Sequence, residues 1–123
     1  MNSYFEKPQD TSGEFIGYKA TITDGGELAI VKLLIPSDAL RVITGRNCRS
    51  DRAKVLDTRT SEGCICTKSR SLLRFDNAIT YRVGEEVYAD EFDCIDTAFC
   101  THGIHFFLTI GDAVGYGRYF IRR

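Results

Sequence analysis

The sequence predicts an α+β fold that is rich in strands, with a mostly antiparallel sheet and one or two short helices. Three observations predict it. Residues 15–23 (FIGYKATIT) alternate in character, and Asp24-Gly25-Gly26 then leads into Leu28–Ile35 (LAIVKLLI). That is a hairpin pattern, because Asp-Gly and Gly-Gly supply the positive φ of a tight turn. Short strand-like runs recur at 52–58, 80–83, 86–88 and 104–110. Helical spacing of apolar residues closes the chain, at 112–120.

Residues 1–14, with Pro8, Ser12 and Gly13, read as an irregular arm, and 15–123 as a single domain. In 15–23 the apolar set Ile16, Tyr18, Ala20 and Ile22 shares one face, and Gly17, Lys19, Thr21 and Thr23 the other. Leu28–Ile35 is apolar except for Lys32, as a central strand is, and Pro36 stops it. Residues 37–40 predict a short helical turn capped by Ser37 or Asp38. Residues 45–51 read as a basic loop. Residues 52–58 predict a third strand with Ala53 and Val55 on one face, whereas 61–71, rich in Ser, Gly and Cys, read as irregular. Residues 80–83 and 86–88 flank Gly84-Glu85, a turn or bulge. In 104–110, Ile104, Phe106, Leu108 and Ile110 fall on one face of a strand. The final helix carries Ala113, Tyr116, Gly117 and Phe120 at helical spacing. Gly115 and Gly117 each cost about 1 kcal/mol relative to alanine, so packing must hold that helix.

At 123 residues the chain suits one domain, and folding can bury roughly two-thirds of its exposable surface. Hydrophobic residues at 43% and charged residues at 27% exclude a disordered tail. The longest apolar run is eight residues and includes Lys32, far short of the ~18 that cross a bilayer. The first residues lack a basic segment followed by an apolar one. A soluble, cytoplasmic protein without membrane contact is therefore expected, in the host cytoplasm if it is viral. Cysteines at 48, 64, 66, 94 and 100 make an odd number, which without a secretory leader predicts free thiols.

Net charge is −1, yet residues 41–74 form a +6 block and residues 75–112 a −7 block. The two either neutralise each other in the fold or make a dipolar surface whose basic half takes an acidic or phosphate-bearing partner. Arg46, Arg49 and Arg52 are the partner-binding candidates in the second case. No aromatic residue lies among them to stack a base, and the pI is near 6.1, so nucleic acid is not the expected partner.

Cys64-x-Cys66 and Cys94-x5-Cys100-x-His102-x2-His105 hold ligand types that zinc prefers. No Cys-x-x-Cys knuckle is present, the thiols of Cys64 and Cys66 on a strand are expected to point to opposite faces, and His105 alternates with Ile104 and Phe106. No metal site and no cofactor are predicted. Cys100 and His102 do not make a nucleophile–base pair by proximity in sequence, and Gly111-x3-Gly115-x-Gly117 lies within a helix rather than before one, unlike a dinucleotide loop. No catalytic residue is assigned.

The segments FIGYKA, VKLLIPSDALRV, NCRSDRAKVLD, ITYRVGEEV, FDCIDTAFCTHGIHFF and DAVGY together resemble a family of uncharacterised domains carried by phages and giant viruses, sometimes appended to pentapeptide repeats. The resemblance implies a viral accessory role. GIHFF followed by DAVGY also resembles, more remotely, the ADP-ribosyltransferase fold, in which a glycine-led strand precedes a helix with a nicotinamide-stacking tyrosine. It implies ligand contacts at Tyr18, Lys19, Gly103, His105 and Tyr116. His105 stands where that fold has an aromatic residue, and no Glu follows Tyr116, so a nucleotide-binding version is implied rather than a transferase. The expected function is a non-enzymatic viral accessory protein that binds a host protein or a nucleotide-like ligand, a role that suits counter-defence. The alternatives are an NAD- or nucleotide-using enzyme and a structural virion component. Oligomeric state stays open, as does whether Tyr116 meets a ligand or the core.

Overall fold

The computed structural model describes residues 10–44, 47–72, 79–89 and 103–121. The strands are β1 (Phe15–Ile22), β2 (Leu28–Ile35), β3 (Arg41–Thr44), β4 (Asn47–Ser50), β5 (Arg52–Thr60), β6 (Lys68–Ser71), β7 (Thr80–Arg82), β8 (Glu86–Tyr88) and β9 (Ile104–Phe106), and one helix, α1 (Ile110–Ile121), follows them. The fold is α+β and mostly β, and its strand pairs are antiparallel. Among the described residues no helix is long and apolar enough to cross a membrane.

Six strands form one sheet in the order β7-β6-β1-β2-β5-β8, and three form another, β3-β4-β9. The larger sheet cannot be flat. Laid flat it spans about 24 Å from edge to edge, yet its two edge strands are consecutive in sequence. The three residues between β7 and β8 reach only about 14 Å. That link is bonded on both sides: Val83 N–H to Thr67 O at 3.0 Å, Gly84 N–H to Val55 O at 2.8 Å and Val55 N–H to Glu85 O at 2.9 Å. Gly84 takes φ +92°, which glycine adopts without steric cost.

The smaller sheet closes the other end. Only Asp51 separates β4 from β5, β4 pairs with β9, and Phe107 just beyond β9 exchanges two 2.7 Å backbone bonds with Tyr18 of β1. The contacts β1–β2–β5/β4–β9–β1 thus form a ring around one core. Phe15, Val31, Leu33, Ile35, Cys48, Val55, Tyr81, Ile104 and Phe106 fill it. A register shift between Lys32 and Leu33 leaves Leu56 unpaired in β5, a bulge of the kind that bends a strand around such a core.

The β1–β2 hairpin forms as its turn residues dictate. Gly26 N–H donates to Thr23 O at 2.9 Å, and Gly26 sits at φ +85°, the three-residue turn that ends in a left-handed residue. The inward face of β1 differs from the expected one. Phe15, Gly17, Lys19 and Thr21 are buried, while Ile16, Tyr18 and Ile22 of the apolar set are half-buried on the outside. Packing decides this: a Cβ at Gly17 would stand 2.6 Å from Phe106 Cδ2, so the Phe106 ring occupies the place of that side chain. Thr21 Oγ1 lies 2.7 Å from Ser69 Oγ and donates to Ala29 O at 2.9 Å, which satisfies its burial.

Other expectations change too. Residues 37–40 are a turn, with Ala39 N–H on Pro36 O at 3.0 Å, because Asp38 turns to Arg52 instead of capping a helix. The expected basic loop at 45–51 contains β4, which pairs with β3. The irregular 61–71 ends in β6, added to β1. The turn expected at Gly84-Glu85 is present, with Glu85 N–H on Arg82 O at 3.1 Å, but the strands it joins, β7 and β8, lie at opposite edges of the sheet. The strand expected over 104–110 ends early, because Thr109 starts α1: its Oγ1 accepts Asp112 N–H at 3.1 Å and its carbonyl accepts Ala113 N–H at 3.3 Å. The helix packs on the outer face of β1–β2, where a Cβ at Gly117 would come within 2.4 Å of Leu28 Cδ1 and 3.0 Å of Ala20 Cβ. Of the N-terminal arm, residues 1–9 lie outside the described residues, and 10–14 are irregular.

Candidate functional site

Directly opposed residues of an antiparallel pair project to the same face. Tyr18 opposes Lys32 on one side and Phe107 on the other, so these three share the outer face of the ring. The Phe107 ring meets Tyr116 of α1 at a centroid separation of 5.2 Å and an angle of 51°, within the tilted geometry that aromatic pairs favour. Tyr18, Phe107 and Tyr116 are half-buried, and Lys32 is exposed. Ile16 opposes Leu34 one pair further along this face, both half-buried, with Leu56 37% exposed on β5. Two sequence-predicted ligand residues, Tyr18 and Tyr116, therefore come together through Phe107. Sequence reasoning missed Phe107 and Lys32. The signal was present in Phe106-Phe107: consecutive residues of an extended chain face opposite ways, so one ring enters the core and the other lies outside.

The other three predicted ligand residues lie elsewhere. Lys19 is 7% exposed, and its Nζ donates to His105 O at 2.8 Å and stands 5.8 Å from the Tyr81 ring centroid. A buried ammonium bonded to backbone and set over a ring is part of the core. Gly103 is buried at φ +137°, a conformation that side chains rarely adopt. His105 is half-buried, alternates with the buried Ile104 and Phe106, and opposes Arg49.

The arginines also divide. Arg49 is 4% exposed and so is withdrawn from any docking partner. Arg52 is ion-paired with Asp38, which holds the Asp38 carboxyl below its ordinary range through that hydrogen bond and raises Arg52. Arg46 lies outside the described residues. Neighbouring charges are matched locally: Arg59 with Asp57 at 2.8 Å, and Asp24 with Lys68 at 3.6 Å and Arg70 at 3.7 Å. Arg41, which sequence reasoning did not single out, donates to the carbonyls of Thr11, Gly13, Pro36, Ser37 and Ala39 and stands 5.4 Å from the Phe15 ring centroid. It ties the arm to the 36–39 turn.

Of the cysteines, Cys94 and Cys100 lie outside the described residues, as does His102. Cys48 is buried, Cys66 half-exposed and Cys64 exposed, all as free thiols. Burial pushes the thiols of Cys48 and Cys66 up, and Glu27 adds to the shift at Cys66. Cys64 and Cys66 do not point apart as expected. Cys66 N–H donates to Thr58 O at 2.8 Å, Thr60 N–H to Cys64 O at 2.8 Å, and Arg59 opposes Ile65. The segment is extended beside β5, and residues two apart on an extended chain share a face. Among the described residues no group of three or more His, Cys, Asp or Glu side chains gathers as metal ligands do.

No curated protein and no solved structure matches the chain. Residues 5–113 match the model of DUF5758, a family of unknown function. The match takes in the ring of strands and the start of α1, and by it the chain belongs to this family.

Proposed function

We propose that this chain is a non-enzymatic binding module of a viral accessory protein and that a host protein docks on the outer face of β1–β2 beside α1. One observation carries the reading: Tyr18, Phe107 and Tyr116 form a half-exposed aromatic cluster flanked by exposed Lys32. Tyrosines combine large apolar area with a polar tip and little entropy to lose, and they anchor protein interfaces more often than most residues. The half-buried Ile16 and Leu34 beside them extend the apolar part, and Lys32 and Asp57, opposed across β2–β5, supply a charged rim. The viral setting and a counter-defence role rest on the segment resemblance described above.

A nucleotide-like ligand is the second reading, favoured by Lys32 opposing Tyr18: an aromatic face next to a cation suits a base and its phosphate. Native mass spectrometry of the protein recovered from infected cells separates the two, through the mass of what it retains. Tyr18→Ala and Tyr116→Ala are expected to abolish that retention while leaving the melting temperature within a few degrees of the parent. Normal retention by both variants, or consumption of NAD by the purified protein, overturns the proposal.

A further inference from the structure

We propose that Cys64 and Cys66 form a two-thiolate site for a soft monovalent d10 cation of the copper(I) class. The backbone that carries them is pinned. Gly63 at φ +93° turns the chain after β5, with its N–H on Thr60 O at 2.9 Å, and Cys64 N–H donates to Thr60 Oγ1 at 3.0 Å. With the two bonds to Thr58 and Thr60 already described, this holds 64–66 as a short extended piece. Both thiols lie on one face of it, and Ile65, 72% exposed, lies on the other.

Spacing selects the chemistry. Residues two apart on a strand are held about 6.6 Å apart. A disulfide needs β-carbons about 3.8 Å apart, which this pinned segment does not offer. Two metal–sulfur bonds of about 2.3 Å laid end to end span about 4.6 Å, which the two side chains reach by turning toward each other. Zinc in a closed site takes four ligands, and among the described residues no third ligand joins the pair. A soft cation that thiolates prefer is satisfied by two.

Thr58 adds an independent observation. It opposes Cys66 across the pairing with β5, so its side chain is on the thiol face. It is fully buried, and its Oγ1 has no hydrogen-bond partner. A thiol sulfur is a weak acceptor, whereas a thiolate accepts a charge-assisted bond. Metal loading releases one proton from each cysteine, and the Cys66 thiolate so formed gives the Thr58 hydroxyl the acceptor it lacks. Because both ligands must lose a proton to bind the cation, affinity rises with pH.

The test is an anaerobic titration of the full chain against the copper(I) complex of bathocuproine disulfonate, read by loss of the complex's colour. The chain is expected to withdraw one copper(I) per molecule, more tightly at pH 8 than at pH 6. Cys64→Ser and Cys66→Ser are expected to weaken binding by about 100-fold or more, and Thr58→Val by about 10-fold, the scale of a supporting partner. Cys94→Ser and Cys100→Ser bind as the parent does. Thermal melts confirm that the exposed-site variants fold. Failure of the parent to withdraw copper, parent-like affinity in Cys64→Ser and Cys66→Ser, or equally tight zinc binding overturns the proposal.

Discussion

Gly117 and Gly115 sit two residues apart on α1 and serve opposite ends. A Cβ at Gly117 meets Leu28 and Ala20, whereas a Cβ at Gly115 meets nothing within 4 Å. Gly115→Ala is therefore expected to stabilise the protein by about 0.5–1 kcal/mol, through helix propensity alone. Gly117→Ala gains the same propensity but crowds the sheet, and overpacking costs about 1–3 kcal/mol, so it is expected to destabilise. Urea melts of both variants check the pair, and equal effects would contradict the contact with β1–β2. The helical spacing of Ala113 and Gly117 was legible in the sequence, but which glycine is needed was not, because the atoms that fill the space come from β1 and β2.

At the scale of the element, local signals set where strands and the helix stop, and some of these signals are quiet. Thr109 and Asp112 make a capping pair, but the alternation of Ile104, Phe106, Leu108 and Ile110 continues through it and masks it. Thr109→Ala is expected to cost about 1 kcal/mol of stability and Thr109→Ser much less, both measured by circular dichroism melts. The β3–β4 hairpin was hidden for a different reason. Its residues are largely polar or charged, and a strand whose Arg49 is buried carries no apolar alternation to read. The candidate aromatic face shows the same division: Tyr18 and Tyr116 were named from the sequence, but only the Tyr18–Phe107 bridge explains why they belong together.

Across the whole molecule, closure of the ring is the feature with the most consequences. It withdraws Lys19 and Arg49 from solvent and leaves Tyr18, Phe107 and Tyr116 half-buried on the outer side of β1–β2 beside α1. The β7–β8 link closes the larger sheet at the end opposite the smaller one, so the amides of Val83 and Gly84, bonded to Thr67 O and Val55 O, are expected to resist hydrogen exchange as well as those of β2 do. Exchange as fast as at a solvent-exposed edge would show that the two sheet edges part there. Among the described residues the basic block finds local partners. Arg52, Arg59, Lys68 and Arg70 find Asp38, Asp57 and Asp24, acids outside the 75–112 block.

Short-range chemistry was readable along the chain: the strand-rich antiparallel class, the β1–β2 hairpin with its Asp-Gly-Gly turn, the inward Ala53 and Val55, and a terminal helix that depends on packing. Which face of β1 turns inward was settled by contacts across the fold. The alternation specified two faces, but an apolar face also forms beneath a helix, and the choice fell to Phe106, which needs the empty side of Gly17. The same long-range contacts placed Tyr18 with Phe107 and Tyr116. Pairings between residues tens of positions apart carry no local pattern, because their energy appears only when the ring closes.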